Sequence, residues 1–253
     1  MPQENVSFQQ LFDQALSAQQ QKNGDEALKL YQESLDKGQS QLSDPQASVI
    51  YHNMSTLAFE KSDFLHAYVW SKKAITLDPS NRTAKKTLEI YSKKFETPMI
   101  AHQMSTSQNI QIVLEKIPSD LFFVLSLILL FTTLRLFYRY LIQRRQLQIE
   151  ASTQKPVFWK SAVSFVLLFM FLLATGIRWH IDQISRAIIT ADKTGIQTAA
   201  GENKPVIYEA PVGTEVDVLQ VVEDYAQVRY PGAFSGWVPK KNIEFLSRQL
   251  SLK

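Results

Sequence analysis

Two stretches near the middle of the chain lack any alternation of apolar and polar residues. Leu121 to Leu134 reads LFFVLSLILLFTTL and Ser161 to Ile177 reads SAVSFVLLFMFLLATGI, and neither holds a charge. Extended through Phe137 and started at Val157, each reaches roughly 20 residues, the length at which a helix crosses about 30 Å of hydrocarbon. A core helix of a soluble protein keeps a polar face, and neither run has one at helical spacing. Trp159 and Trp179 bracket the second run, while Arg135 and Arg139 stand one turn apart where their stems can snorkel toward headgroups. The pattern predicts two transmembrane helices, 119–138 and 157–178, joined as a hairpin with a soluble domain on each arm.

On the N-terminal side the period becomes helical. Gln46 to Asn81 places Tyr51, Met54, Ser55 and Ala58 on one face, a turn at Asp63 and Phe64, then Ala67, Ala74 and Pro79. This resembles a tetratricopeptide repeat, in which a bulky residue opens one helix, small residues let the next pack closely, and proline stops it. Leu11 to Gly38 is similar to a weaker copy: Leu11, Ala15 and Ala18, a turn at Asn23 and Gly24, then Ala27, Tyr31 and Leu35. The interval from Ala27 to Ala67 exceeds the roughly 34 residues of that repeat, and the surplus falls in the polar loop Lys37 to Pro45. Asn81 to Phe95 reads as a capping helix with Ala84, Leu88 and Tyr91 inward. The expectation is a TPR-like α-solenoid over 1–97, then a linker over 98–118 in which Asn109 to Ile117 forms an interfacial helix.

The repeat resemblance implies a concave groove that holds a peptide or helix. Its lining positions map to Gln9, Phe12, Leu16 and Gln19 in the first copy and to Val49, His52, Thr56 and Phe59 in the second. The lysine and asparagine positions of the family's carboxylate clamp hold Phe12 and Leu16 here, so Asn53, which matches a further clamp asparagine, cannot hold an anion alone. Phe12, Leu16 and Phe59 fit packing between helices equally well.

The C-terminal arm alternates with period two. Val206 to Ala210, Glu215 to Val222, Tyr225 to Tyr230 and Gly236 to Val238 are short β-rich runs, punctuated by Pro211-Val212-Gly213, Glu223-Asp224 and Pro231-Gly232. The order P-x-G-T, acidic turn, V-R strand and Gly-Trp-Val resembles a bacterial SH3-like domain, with Tyr225 where the family usually has tryptophan. The expectation is a small SH3-like β-barrel over 188–247. The resemblance implies exposed aromatic ligand contacts, here Tyr208, Tyr225, Phe234 and Trp237, although Trp237 reads more readily as a barrel core residue.

Charge then orients the hairpin. The connection holds Arg135, Arg139, Arg144, Arg145, Lys155 and Lys160 against Glu150 alone, whereas Lys116 is the only lysine or arginine leading from Ile100 into the first span. The positive-inside rule places the connection, 139–156, in the cytoplasm and both terminal domains in the periplasm of a bacterial inner membrane. MPQENVSFQQLFDQAL has no basic n-region, apolar h-region or cleavage site. Three explanations stand: a signal upstream of this start, the favoured one; an unusual export route; or an inverted topology.

The remaining composition narrows the chemistry. Net charge of +3, much of its excess between the spans, leaves no basic stripe for nucleic acid. No cysteine is present, which removes disulfides, thiolate catalysis and Cys-ligated zinc. His52, His66, His102 and His180 are scattered without H-E-x-x-H, and neither G-x-S-x-G nor a phosphate-cradling glycine loop occurs. The expectation is a non-enzymatic protein without metal or cofactor.

Repeats, two spans with a basic connection, and a C-terminal Gly236-Trp237-Val238 domain together resemble the BatE-like family, the tetratricopeptide member of the Bacteroides aerotolerance (Bat) operon. That resemblance implies von Willebrand A-type membrane proteins and a MoxR-type ATPase as partners. Two functions follow: an inner-membrane-tethered adaptor or scaffold binding protein through both terminal domains, assisting assembly of an envelope stress-tolerance complex; or a cell-wall anchor whose SH3-like domain holds peptidoglycan while the repeats recruit an envelope enzyme.

Overall fold

The computed structural model describes residues 7–39, 41–93, 119–150, 158–182, 184–230 and 234–247. The expected 98–118 linker, its interfacial helix and the Pro231-Gly232 turn lie outside these residues. The described chain forms two compact units, one holding the N-terminal helices and the C-terminal strands, the other holding the two long apolar helices.

In the first unit, α1 (Phe8–Gln20) and α2 (Gly24–Lys37) make one helical hairpin, and α3 (Asp44–Glu60) and α4 (Phe64–Leu77) make another. Side-chain contacts mark the starts of α1, α3 and α4. Capping boxes at Ser7/Gln10 and Ser43/Gln46 open α1 and α3, and the Asp63 carboxylate accepts from the His66 amide at 3.2 Å to open α4. The two hairpins turn identically: Lys22 and Ser62 take positive φ of 61° and 62°, and the next residues, Asn23 and Asp63, donate to Ala18 and Ala58 at 2.9 Å. Ala15, Ala27, Tyr31, Ala47, Ile50, Met54 and Leu57 fill the core between them. Ala67 and Ala74 are fully buried, as close helix packing requires. Buried Ser48 joins three helices, donating to the Ala74 carbonyl of α4 at 2.7 Å and accepting from Asn81, the cap of α5 (Arg82–Ser92), at 3.0 Å.

The strands are β1 (Ser185–Ile189), β2 (Thr194–Gln197), β3 (Val206–Ala210), β4 (Glu215–Val222), β5 (Tyr225–Arg229), β6 (Ser235–Pro239) and β7 (Ile243–Phe245). They form one antiparallel sheet in the order β3-β2-β6-β5-β4-β1-β7. The expected SH3-like barrel is not formed. Closure needs β3 to pair with β7, yet among the described residues β3 pairs with β2 alone and β7 with β1 alone.

The open sheet nevertheless has its own core. Ile189, Ile196, Ala210, Val216, Val228, Tyr230, Val238 and Phe245 meet in one cluster, with Tyr208, Val221 and Phe234 packed against it. A bulge at Leu219 shifts the register of β4 against β5, so Val218 before it and Val221 after it both reach the cluster. Gly236 is required where β6 crosses β2: a Cβ there would stand 2.4 Å from Ile196 Cγ2 and 2.8 Å from the Gln197 carbonyl oxygen.

The second unit is an antiparallel pair, α6 (Ser119–Ile149, 31 residues) and α7 (Trp159–Asp182, 24 residues), both long and apolar enough to cross a membrane. Phe123, Phe131, Phe165 and Phe169 lie more than half exposed along them. The facing sides carry a small polar stripe. Ser126 Oγ lies 3.1 Å from Thr175 Oγ1 and Thr133 Oγ1 lies 2.7 Å from Ser164 Oγ, while each of Ser126, Thr133 and Thr175 also donates back to its own helix. Small hydroxyl residues, seven apart on α6 and eleven apart on α7, let the two apolar helices approach and hydrogen-bond to each other. The face expected to be wholly apolar therefore has a sparse polar seam.

Candidate functional site

The most developed polar site lies where α4 meets the outer face of the sheet. Alternation in β1 sends Ala187 and Ile189 into the sheet core and Ile188 the other way, into a cluster with Ala58, Ala67, Tyr68, Val69, Tyr91 and Leu246. Ile188 and Leu246 are 0% and 3% exposed. Charged groups ring this contact. Lys72 Nζ lies 2.7 Å from Glu215 Oε2, and Lys73 Nζ lies 2.6 Å from Glu244 Oε1 while standing 5.3 Å from the Tyr51 ring centre. Arg186 stands 3.6 Å from Glu215 and 3.8 Å from Asp217, which accepts from Arg229 at 2.9 Å.

Burial alone would push the Lys72 ammonium down and the Glu215 carboxyl up. Their mutual attraction and hydrogen bond, with the Arg186 charge acting on Glu215, outweigh burial. Lys72 therefore sits above the usual lysine value and Glu215 below the usual carboxylate value. The pair is ionised at neutral pH and acts as a clasp between helix and sheet.

The proposed groove residues divide by role. Gln9 and Val49 are exposed and Leu16 nearly as open, whereas Phe12 packs its ring 5.8 Å from Tyr31 within the helical core. Gln19 accepts from the Tyr31 hydroxyl at 2.8 Å, and that oxygen accepts from Asn53 at 3.1 Å, so Asn53 is occupied within the fold. Phe59 stacks 4.5 Å from Tyr91 and meets the edge of Phe64 at 5.6 Å, fastening α3 to α5. Thr56 donates to the His52 carbonyl at 3.1 Å. His52 Nδ1 is buried and meets no protein partner, and burial holds the imidazole pKa below its ordinary value.

The sheet aromatics do not converge either. Tyr208 meets the Tyr230 ring edge-on at 5.0 Å and Phe234 stacks on it at 5.6 Å, both packed against the sheet core. Tyr225 and Trp237 are half-buried on the opposite face, Trp237 flanked by Gln197 and Gln227 and Tyr225 opposite Pro239. Among the described residues, no group of His, Asp and Glu is placed to hold a metal ion.

No protein-family profile matches this chain, and no characterised protein matches it in sequence. The fold corrects both functions drawn from the sequence. The adaptor and the cell-wall anchor each need a closed SH3-like module with its aromatics displayed, on an arm separate from the repeats. The sheet is open, two of the four candidate aromatics pack against its core, and it is docked on α4.

Proposed function

We propose that the chain is a two-pass protein of the bacterial inner membrane, with α6 and α7 as its spans and the basic connection in the cytoplasm. The helices and the sheet stand together in the periplasm as one body. The contact of α4 with the sheet supports this reading. Segments on either side of a two-span hairpin can touch only if both lie on the same face of the membrane, and the bases between the spans favour the outside for that face. Such a protein is a membrane subunit that presents helices and sheet as one preassembled surface.

The partners proposed, on the BatE-like resemblance, are von Willebrand A-type membrane proteins; a MoxR-type ATPase in the cytoplasm would meet only the connection. Reporter fusions test the placement: a fusion at Gln148 is active only with a cytoplasmic reporter, and one after Lys253 only with an exported reporter. The inverse pattern overturns the orientation. Purification of the full chain from membranes in mild detergent without any von Willebrand A-type protein withdraws the partner assignment.

A further inference from the structure

Three cross-helix contacts fix the register of the hairpin: Ser126 with Thr175, Thr133 with Ser164, and the Tyr140 ring 5.1 Å from the Phe158 ring. Read along this ladder, Tyr138 and Arg139 on α6 stand level with Trp159 and Lys160 on α7, and Arg135 lies one turn deeper. Counted from Leu121, Arg139 is about 27 Å along its helix, near the far edge of a hydrocarbon layer of about 30 Å. Tyr138 and Trp159 are each 64% exposed, and Arg135, Arg139 and Lys160 are exposed as well. Beyond them α6 runs on to Ile149, carrying Arg144 and Arg145 out of the apolar layer.

Among the described residues, no carboxylate pairs with Arg135, Arg139 or Lys160; Asp120 opens α6 at its opposite end. Arginines one turn apart present two planar forks to the same side of a helix, a geometry suited to a phosphodiester. Tyrosine and tryptophan at this level place apolar rings among chains and polar tips among headgroups. We propose that this belt binds anionic phospholipid, with Arg135 and Arg139 clamping the headgroup phosphate and Lys160 and Trp159 completing the contact. A zwitterionic lipid brings its own ammonium to the bases and is disfavoured. The inference rests on α6 and α7 spanning a membrane.

Native mass spectrometry of the full chain in nonionic detergent, with added phosphatidylglycerol or phosphatidylcholine of matched chains, tests it. Wild type should retain phosphatidylglycerol preferentially, and Arg135→Gln/Arg139→Gln/Lys160→Gln should lose that preference, by about fivefold per base removed. Arg144→Gln/Arg145→Gln should keep it. Equal retention of both lipids by wild type, a preference that survives the triple change, or equal loss in the Arg144/Arg145 variant overturns the site. So does displacement of the lipid by millimolar inorganic phosphate. Should the triple variant lose helicity, Arg139→Gln alone decides, with about a fivefold loss expected. Carbonate extraction separates the premises: a chain released from membranes overturns the spans and the site together, whereas a retained chain without lipid preference overturns the site alone.

Discussion

Replacing Glu215 by glutamine keeps the shape of the side chain and removes the charge that Lys72 and Arg186 share, so the clasp between α4 and the sheet should loosen. Lys72 and Glu215 are each about a quarter exposed by side chain, at 26% and 27%, and 2.7 Å apart. A fully exposed pair is worth at most about 1 kcal/mol, while breaking a buried one costs about 3 to 5 kcal/mol. This intermediate pair, which leaves an ammonium without its counter-charge, should cost about 2 kcal/mol of docking free energy, or about thirtyfold in the undocked fraction. The absence of cysteine makes a reporter simple: Leu246→Cys places one thiol in the apolar contact. Maleimide labelling of that thiol should accelerate about thirtyfold when Glu215→Gln is added, and the exchange Lys72→Glu/Glu215→Lys should recover part of the protection. Labelling that is fast in the parent, or unchanged by Glu215→Gln, would refute the clasp.

The same pair gives docking a pH window. Glu215 is held below its ordinary 4.5, so its contribution is complete above that value and is lost as acid titrates it; Lys72 is held above 10.5, so its contribution is complete below that value and is lost in stronger alkali. Leu246→Cys should therefore be best protected between about pH 5 and pH 10, and a minimum of protection at pH 7 would contradict this. His52 has a depressed pKa, so its burial stabilises the helices above the ordinary 6.5 and opposes them as pH falls. A thermal melt should fall between pH 7 and pH 5, and His52→Gln should flatten that slope. Ala67→Glu buries a carboxylate where no space exists and should destabilise the helices by several kcal/mol, read as a lowered melting temperature. Gly236→Val should push β6 off β2 and raise hydrogen exchange of the Gln197 and Trp237 amides, leaving the helices protected.

Long, strongly patterned features were legible in the sequence. The apolar runs became α6 and α7, the Ala67/Ala74 spacing became close helix packing, and the Glu223-Asp224 turn joins β4 to β5 with Glu223 at a positive φ of 51°. The short strands β1, β2 and β7 were not legible: SRAII, TGIQ and IEF are too brief to show alternation, and without them a seven-stranded open sheet reads as a smaller barrel. Nothing in the local sequence sets Lys72 and Lys73 of α4 apart from solvated lysines. Their partners Glu215 and Glu244 lie far away in sequence, and only the tertiary fold brings them together. The polar seam of α6 and α7 was hidden because one seam hydroxyl every two or three turns barely disturbs an apolar run.

The claim that a two-span hairpin carries one docked body on one face of the membrane is most directly tested by an impermeant thiol reagent applied to spheroplasts. Single cysteines are placed at exposed Lys29 in α2, exposed Glu202 before β3, and exposed Gln146 near the end of α6. Lys29→Cys and Glu202→Cys should label in intact spheroplasts, and Gln146→Cys only after lysis. Labelling of Lys29→Cys and Glu202→Cys from opposite sides of the membrane would contradict the account, because helices and sheet in different compartments cannot share the contact at Ile188 and Leu246.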